Sequence, residues 1–114
     1  KLRSELGTEY AEVGFKQEIQ RGPALIQSFV SGELETYQIQ IQEIRLNEDD
    51  VNKGMVFQVT DPRLLQMTGG VIQGMSGSPI LQNGRLVGAV THVFVNDPAR
   101  GYGIFAESMI AEEE

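Results

Sequence analysis

Pro79-Ile80-Leu81-Gln82-Asn83-Gly84-Arg85-Leu86-Val87-Gly88-Ala89-Val90-Thr91-His92 is the stretch on which the reading of the fold turns. Two apolar runs flank Asn83-Gly84, the dipeptide best able to take positive φ at both centres of a tight hairpin turn. Pro79 to Gln82 and Arg85 to Phe94 are therefore predicted to be neighbouring antiparallel strands. The second run is nearly all apolar (Leu86, Val87, Ala89, Val90, Val93), so both of its faces should be buried.

Towards the C-terminus, Asn96-Asp97-Pro98 predicts a turn, Tyr102 to Ala106 a last strand, and Glu107 onward a C-terminal helix. Towards the N-terminus, Asp61-Pro62 predicts a short helical turn through Met67, with the aspartate as cap and the proline at the first helical position. Met55 to Val59 reads as a strand and Asn47 to Lys53 as a charged loop. Tyr37, Ile39 and Ile41 alternate with Gln38, Gln40 and Gln42, the period of a half-buried strand. Ile44 and Leu46 continue it after a one-residue slip, as at a β-bulge. Ser31-Gly32 is a turn, Ala24 to Val30 another strand, and Ala11, Val13 and Phe15 alternate in a first one. Residues 1–10 are polar and patternless. Short strands at this spacing indicate an antiparallel barrel or sandwich. The organisation expected is a polar N-terminal segment (1–10), one all-β domain (11–110) and an acidic tail (111–114).

Composition bounds the function. Nine basic residues against 16 acidic ones leave a formal charge of −7 over 114 residues, a surface that repels nucleic-acid backbones. There is no cysteine and a single histidine, His92, so neither disulfides nor a metal site is supported, and no cofactor is expected. No run approaches the roughly 18 apolar residues that span a bilayer.

Chemistry concentrates in Gly74-Met75-Ser76-Gly77-Ser78-Pro79. Glycine, serine and proline are also ordinary turn residues, so the run by itself reads as a loop. Yet a serine hydroxyl becomes a nucleophile when it is positioned, deprotonated and faced by donors for the oxyanion. Glycines on both sides of Ser76 permit that turn, and the amides of Gly74 and Ser76 could hold the developing negative oxygen.

The run resembles the Gly-Asp-Ser-Gly-Gly-Pro loop of chymotrypsin-like peptidases, and the residues after it match in order and spacing. The hairpin 79–92 stands where that family has the strand lining its specificity pocket, and Gly103-Ile104-Phe105 where it has its closing strand. Thr60-Asp61-Pro62-Arg63-Leu64-Leu65, Thr68-Gly69-Gly70, Gly74-Met75-Ser76-Gly77-Ser78-Pro79-Ile80 and Gly88 through Pro98 are closer still to the peptidase domain of the stage IV sporulation protein B (SpoIVB-type) family. The likeness is dense from about Gly54 to Met109 and looser from Thr8 to Ile44, where Gly22-Pro23-Ala24 is the best anchor.

The resemblance implies an antiparallel barrel like the C-terminal barrel of chymotrypsin-like peptidases, and a serine endopeptidase with Ser76 as nucleophile. It implies Asp61 as the acidic member of the triad, a role with which helix capping competes. The family's catalytic histidine lies upstream, in a Gly-His segment not found among these residues, so this chain alone is expected to be inert. A dyad of Ser76 with His92 is disfavoured because such a triad draws its base from the facing barrel. His92 is instead expected to line the substrate cleft or to be packed structurally. The backbone of Thr91, His92 and Val93 would pair with an extended peptide, and Gly70 would sit at the base of an uncharged specificity pocket. The implied partners are the missing half of the peptidase domain and a protein or peptide substrate. By resemblance, that substrate is a membrane-anchored regulator of an intramembrane protease in sporulation signalling, cleaved by an exported, extracytoplasmic enzyme in the space between forespore and mother-cell membranes. The competing reading is a non-catalytic β-barrel that binds peptides or partners.

Overall fold

The computed structural model describes residues 3–6, 9–29, 31–47, 49–68 and 75–113. The strands are β1 (Arg3–Leu6), β2 (Glu9–Val13), β3 (Gly22–Ser28), β4 (Glu35–Ile44), β5 (Met55–Val59), β6 (Pro79–Gln82), β7 (Arg85–Val93) and β8 (Arg100–Phe105). Helix α1 (Pro62–Thr68) follows β5, and α2 (Ala106–Glu113) follows β8. Strands β3, β4, β5, β8, β7 and β6 pair antiparallel in that order, and β6 returns to β3. The result is a closed six-stranded barrel, the architecture that the sequence implied.

The Asn83-Gly84 hairpin forms as expected, with Gln82 opposite Arg85 and positive φ at Asn83 (55°) and Gly84 (77°). Leu86 through Val90 are all buried, so β7 is covered on both faces. In β4 the alternation also holds: Tyr37, Ile39 and Ile41 point into the core while Gln38 and Gln40 face out. Opposite β5 a bulge falls between Ile41 and Glu43, where the slip in period required one. The strand ends at Ile44, however, and Leu46 lies beyond it, 43% exposed. The core is filled by Tyr37, Ile39, Ile41, Met55, Phe57, Ile80, Val90 and Phe105 among others.

Gly88 is dictated by packing. A Cβ there would collide with the Ile104 carbonyl oxygen and with Met55 Cε. Only a residue without a side chain lets β7 and β8 approach over the Met55 thioether.

Two expectations are corrected. Residues 1–10 are not featureless: β1 and β2 form a hairpin, and β2 runs parallel to β7 with Glu12 beside Arg85 and Val13 beside Leu86. Main-chain pairing at a sheet edge needs no apolar period, so no local pattern announces it. The first strand does not extend to Phe15. It stops at Val13, and a 3₁₀ turn over Lys16–Glu18 leaves Phe15 56% exposed. The backbone of α2 continues through Glu113.

Because every barrel pair is antiparallel, three connections gather at one end: the turn between β3 and β4, the span from β5 through α1 and Ser76 to β6, and the turn between β7 and β8. Ser76, Asp61 and the end of β7 therefore share one rim.

Candidate active site

The Ser76 loop is shaped by the residues on either side of the serine. Met75 is 1% exposed and anchors the loop in the core, whereas Ser76 faces solvent. Gly77 then takes φ of +90°. A Cβ at Gly77 would meet nothing within 4 Å, so glycine is required there for its backbone conformation and not for space. Three main-chain bonds lock this geometry: Gly77 N to Val90 O (2.7 Å), Val90 N to Ser78 O (2.9 Å) and Ser78 N to Met75 O (3.0 Å). Pro79 follows as the first residue of β6, a position where a missing N–H is tolerated.

Ser76 Oγ donates to the Thr91 carbonyl at 3.2 Å. That carbonyl belongs to a bulge in β7, where the register with β8 shifts between Val90 and His92. The Thr91 hydroxyl fastens the bulge, reaching Asn52 O at 2.6 Å and Tyr102 O at 3.2 Å. Beyond it, His92 and Val93 pair with Tyr102 and Gly101 of β8, whereas β6 reaches only to Ala89. The side of Thr91–Val93 that faces Ser76 thus has no strand against it among the described residues, a free edge of the kind that accepts an extended peptide. His92 is exposed, so it is not a packed core histidine, and the serine hydroxyl is directed to Thr91 O instead of to its ring.

Asp61 is in the opposite condition. It is 3% exposed, and its two carboxylate oxygens accept from Gln38 N (3.0 Å), Arg63 N (3.0 Å), Arg63 Nε (3.1 Å) and Arg63 Nη2 (3.0 Å). Its own carbonyl accepts from Leu65 N (3.1 Å). The residue caps α1 and ties that helix to β4, and its carboxylate is held by both prongs of a guanidinium fork. The Arg63 side chain, ahead of the Gln38 and Arg63 amides, lowers the Asp61 pKa from 3.8 to about 2, while burial opposes the shift. The same pairing raises the pKa of Arg63. Arg63 also bonds Glu35 and the Thr36 carbonyl and lies over the Tyr37 ring. Of the two roles the sequence left to Asp61, capping is the one its contacts display.

A family model described as SpoIVB peptidase S55 matches residues 1–110. The chain belongs to this family. No curated protein sequence matches the S55 chain. Among solved structures it is similar to the Mycobacterium tuberculosis H37Rv protein Rv3671c, in an inactive form of a serine-to-alanine mutant, at 20% identity and a TM-score of 0.62 over 90% of this chain and 51% of that one. It is also similar to the active form of the Rv3671c protease, at 20% identity and a TM-score of 0.61 over 88% of this chain and 45% of that one. The S55 chain thus spans about half the length of these structures, and at such identity the likeness establishes the fold.

Gly70 and Gly74, the expected pocket base and oxyanion donor, lie outside the described residues. Sequence reasoning overlooked two participants. Arg63 was legible as a cation two positions after a capping aspartate. Asn52 was not, because its carbonyl meets Thr91 across 39 positions of chain.

Proposed function

We propose that this S55 chain carries the nucleophile of a serine endopeptidase, with Ser76 attacking the substrate carbonyl. The observation that carries this reading is the exposed Ser76 hydroxyl, set on a loop with a buried anchor and placed 3.2 Å from a carbonyl on the open edge of β7. An extended peptide docked on that edge would bring its scissile bond to the serine. The tetrahedral oxygen would then lie against the amides of Ser76 and Gly74. A histidine from the rest of the peptidase domain, outside these residues, would take the hydroxyl proton and return it to the leaving amine. Phe29, on the same rim and 67% exposed, is an apolar side chain suited to being covered by that missing part.

In this reading Asp61 acts from the scaffold, keeping α1 and the β4 edge in place beneath the rim. The family resemblance would instead seat it behind the imidazole, which requires Arg63 to release one oxygen. Asp61→Asn separates the two: a triad aspartate loses activity by about 10⁴-fold in kcat, a cap loses mainly stability. By family membership, the enzyme would be exported and would cleave a membrane-anchored regulator of an intramembrane protease during sporulation. Fractionation of sporulating cells tests that placement.

The deciding experiment is fluorophosphonate labelling of the full-length parent protein followed by peptide mapping. Labelling at Ser76, lost in Ser76→Ala, is expected. A folded parent protein that remains unlabelled would instead favour a non-catalytic peptide-binding barrel.

A further inference from the structure

The chain carries a net negative charge, yet the outer face of β7 and β8 beside Ser76 is basic and aromatic. His92 lies opposite Tyr102, and Phe94, just past the end of β7, lies against Arg100, whose carbonyl accepts from Phe94 N at 3.0 Å. Opposed residues and their i+2 neighbours share a face of the sheet, so all four point outward together. The Phe94 and Tyr102 rings stand 4.6 Å apart. Arg100 lies over Phe94 at 4.7 Å, and Lys53, reaching in from the 3₁₀ turn before β5, lies over Tyr102 at 5.4 Å. Arg45 approaches the same Tyr102 ring at 5.7 Å.

Arg45 is paired with the Glu43 carboxylate at 2.8 Å, whereas Lys53 lies against a ring face and Arg100 against a ring face and the Gln42 amide oxygen at 3.0 Å. Among the described residues, neither Lys53 nor Arg100 has a carboxylate within ion-pairing distance. The nearby carboxylates make other contacts: Glu43 pairs with Arg45, Asp50 accepts from Asn52 N and Asp97 from Ala99 N. The face is only partly exposed, so a charge brought to it is less screened than on open surface.

We propose that this face is a specificity subsite that selects acidic side chains on the peptide substrate, with Lys53 and Arg100 as the selecting charges. The inference rests on the serine-peptidase reading above. A peptide paired antiparallel to Thr91–Val93, with its scissile carbonyl at Ser76, runs along β7 towards Phe94 as it is followed back to its own N-terminus. Its alternate side chains fall on the His92 and Phe94 face, namely the second and fourth residues before the scissile bond. Carboxylates there meet Arg100 and Lys53. Lysines there meet like charge.

The test measures protection of Ser76 in the full-length parent enzyme from a fluorophosphonate probe. The competitors are short peptides carrying Glu, Ala or Lys at every second position, in both frames. Glu peptides in one frame should protect at concentrations about tenfold lower than Lys peptides, the factor expected of two partly exposed ion pairs, and the ratio should shrink in high salt. K53E/R100E should invert the order, and K53R/R100K should keep it. Equal protection by Glu and Lys peptides, or an order unaffected by K53E/R100E, overturns the subsite while leaving the peptidase reading intact. Absence of labelling without any peptide removes the peptidase reading and the subsite with it.

Discussion

Ser76 and Asp61 sit at the same barrel rim and are 15 positions apart, yet they are held in contrary ways. The serine is exposed and its side chain makes one long hydrogen bond. The aspartate is buried and accepts four through its carboxylate. A group that must change partners during a reaction is left weakly committed, and the rigidity it depends on is supplied by Met75 beneath it and Gly77 beside it. The contacts that satisfy Asp61 hold α1 against β4. Proximity to the site therefore does not by itself assign a role.

The contrast is testable, and its largest consequence lies at the serine. Ser76→Ala should remove parent-enzyme activity by roughly a thousandfold or more while leaving the melting temperature of the domain unchanged, because a single exposed bond is lost. A large loss of stability would show that the loop depends on the hydroxyl and would erase the distinction between the two residues. Gly88→Ala probes the frame from the other side. Its Cβ has no space against Ile104 O, so β7 and β8 must separate, at a cost of about 3 kcal/mol and about 10 °C in melting temperature. Calorimetry in which this variant melts like the parent would mean that the barrel wall yields far more readily than its packing implies.

Asp61→Asn should cost about 1–2 kcal/mol, because asparagine can still cap the helix but loses the charge and one of the two acceptor oxygens that face Arg63 and the Gln38 amide. The same residue sets an acid limb. Its pKa is lowered on folding, so its contribution is complete above the ordinary value of 3.8 and disappears as pH falls towards about 2. Denaturation midpoints followed across that interval should decline for the parent protein and flatten in Asp61→Asn. An identical slope in both proteins would place the acid sensitivity elsewhere. The smallest effect is expected for Arg63→Met. The side chain of Arg63 is 56% exposed, which limits the pair to about 1 kcal/mol or less, and the two amides continue to bind Asp61.

Much of the barrel was legible because its strands repeat local signals. Asn83-Gly84 fixed a hairpin, the Tyr37 to Gln42 alternation fixed which face of β4 is buried, and Asp61-Pro62 fixed the start of a helix. The β1–β2 hairpin was not legible, since its pairing with β7 at Arg85 and Leu86 is made by main-chain groups that every sequence possesses. Ser76 was legible through the likeness of Gly74 to Pro79 and the following hairpin to a known family, since the run by itself reads as a turn. The attachment of Thr91 to Asn52, and the gathering of Lys53, Tyr102, Phe94 and Arg100 on one face, were not legible.

The six barrel strands and the turn chemistry between them were decided by the sequence alone, because each depends on interactions within a few residues, and the candidate nucleophile was reached in the sequence through its resemblance to a known family. Only the tertiary structure decided that Asp61 is saturated by Arg63 and Gln38, that the Ser76 hydroxyl meets the Thr91 carbonyl, and that cations collect beside it in an acidic chain. Those outcomes depend on barrel closure, which brings together side chains distant along the chain through a register that no local pattern encodes.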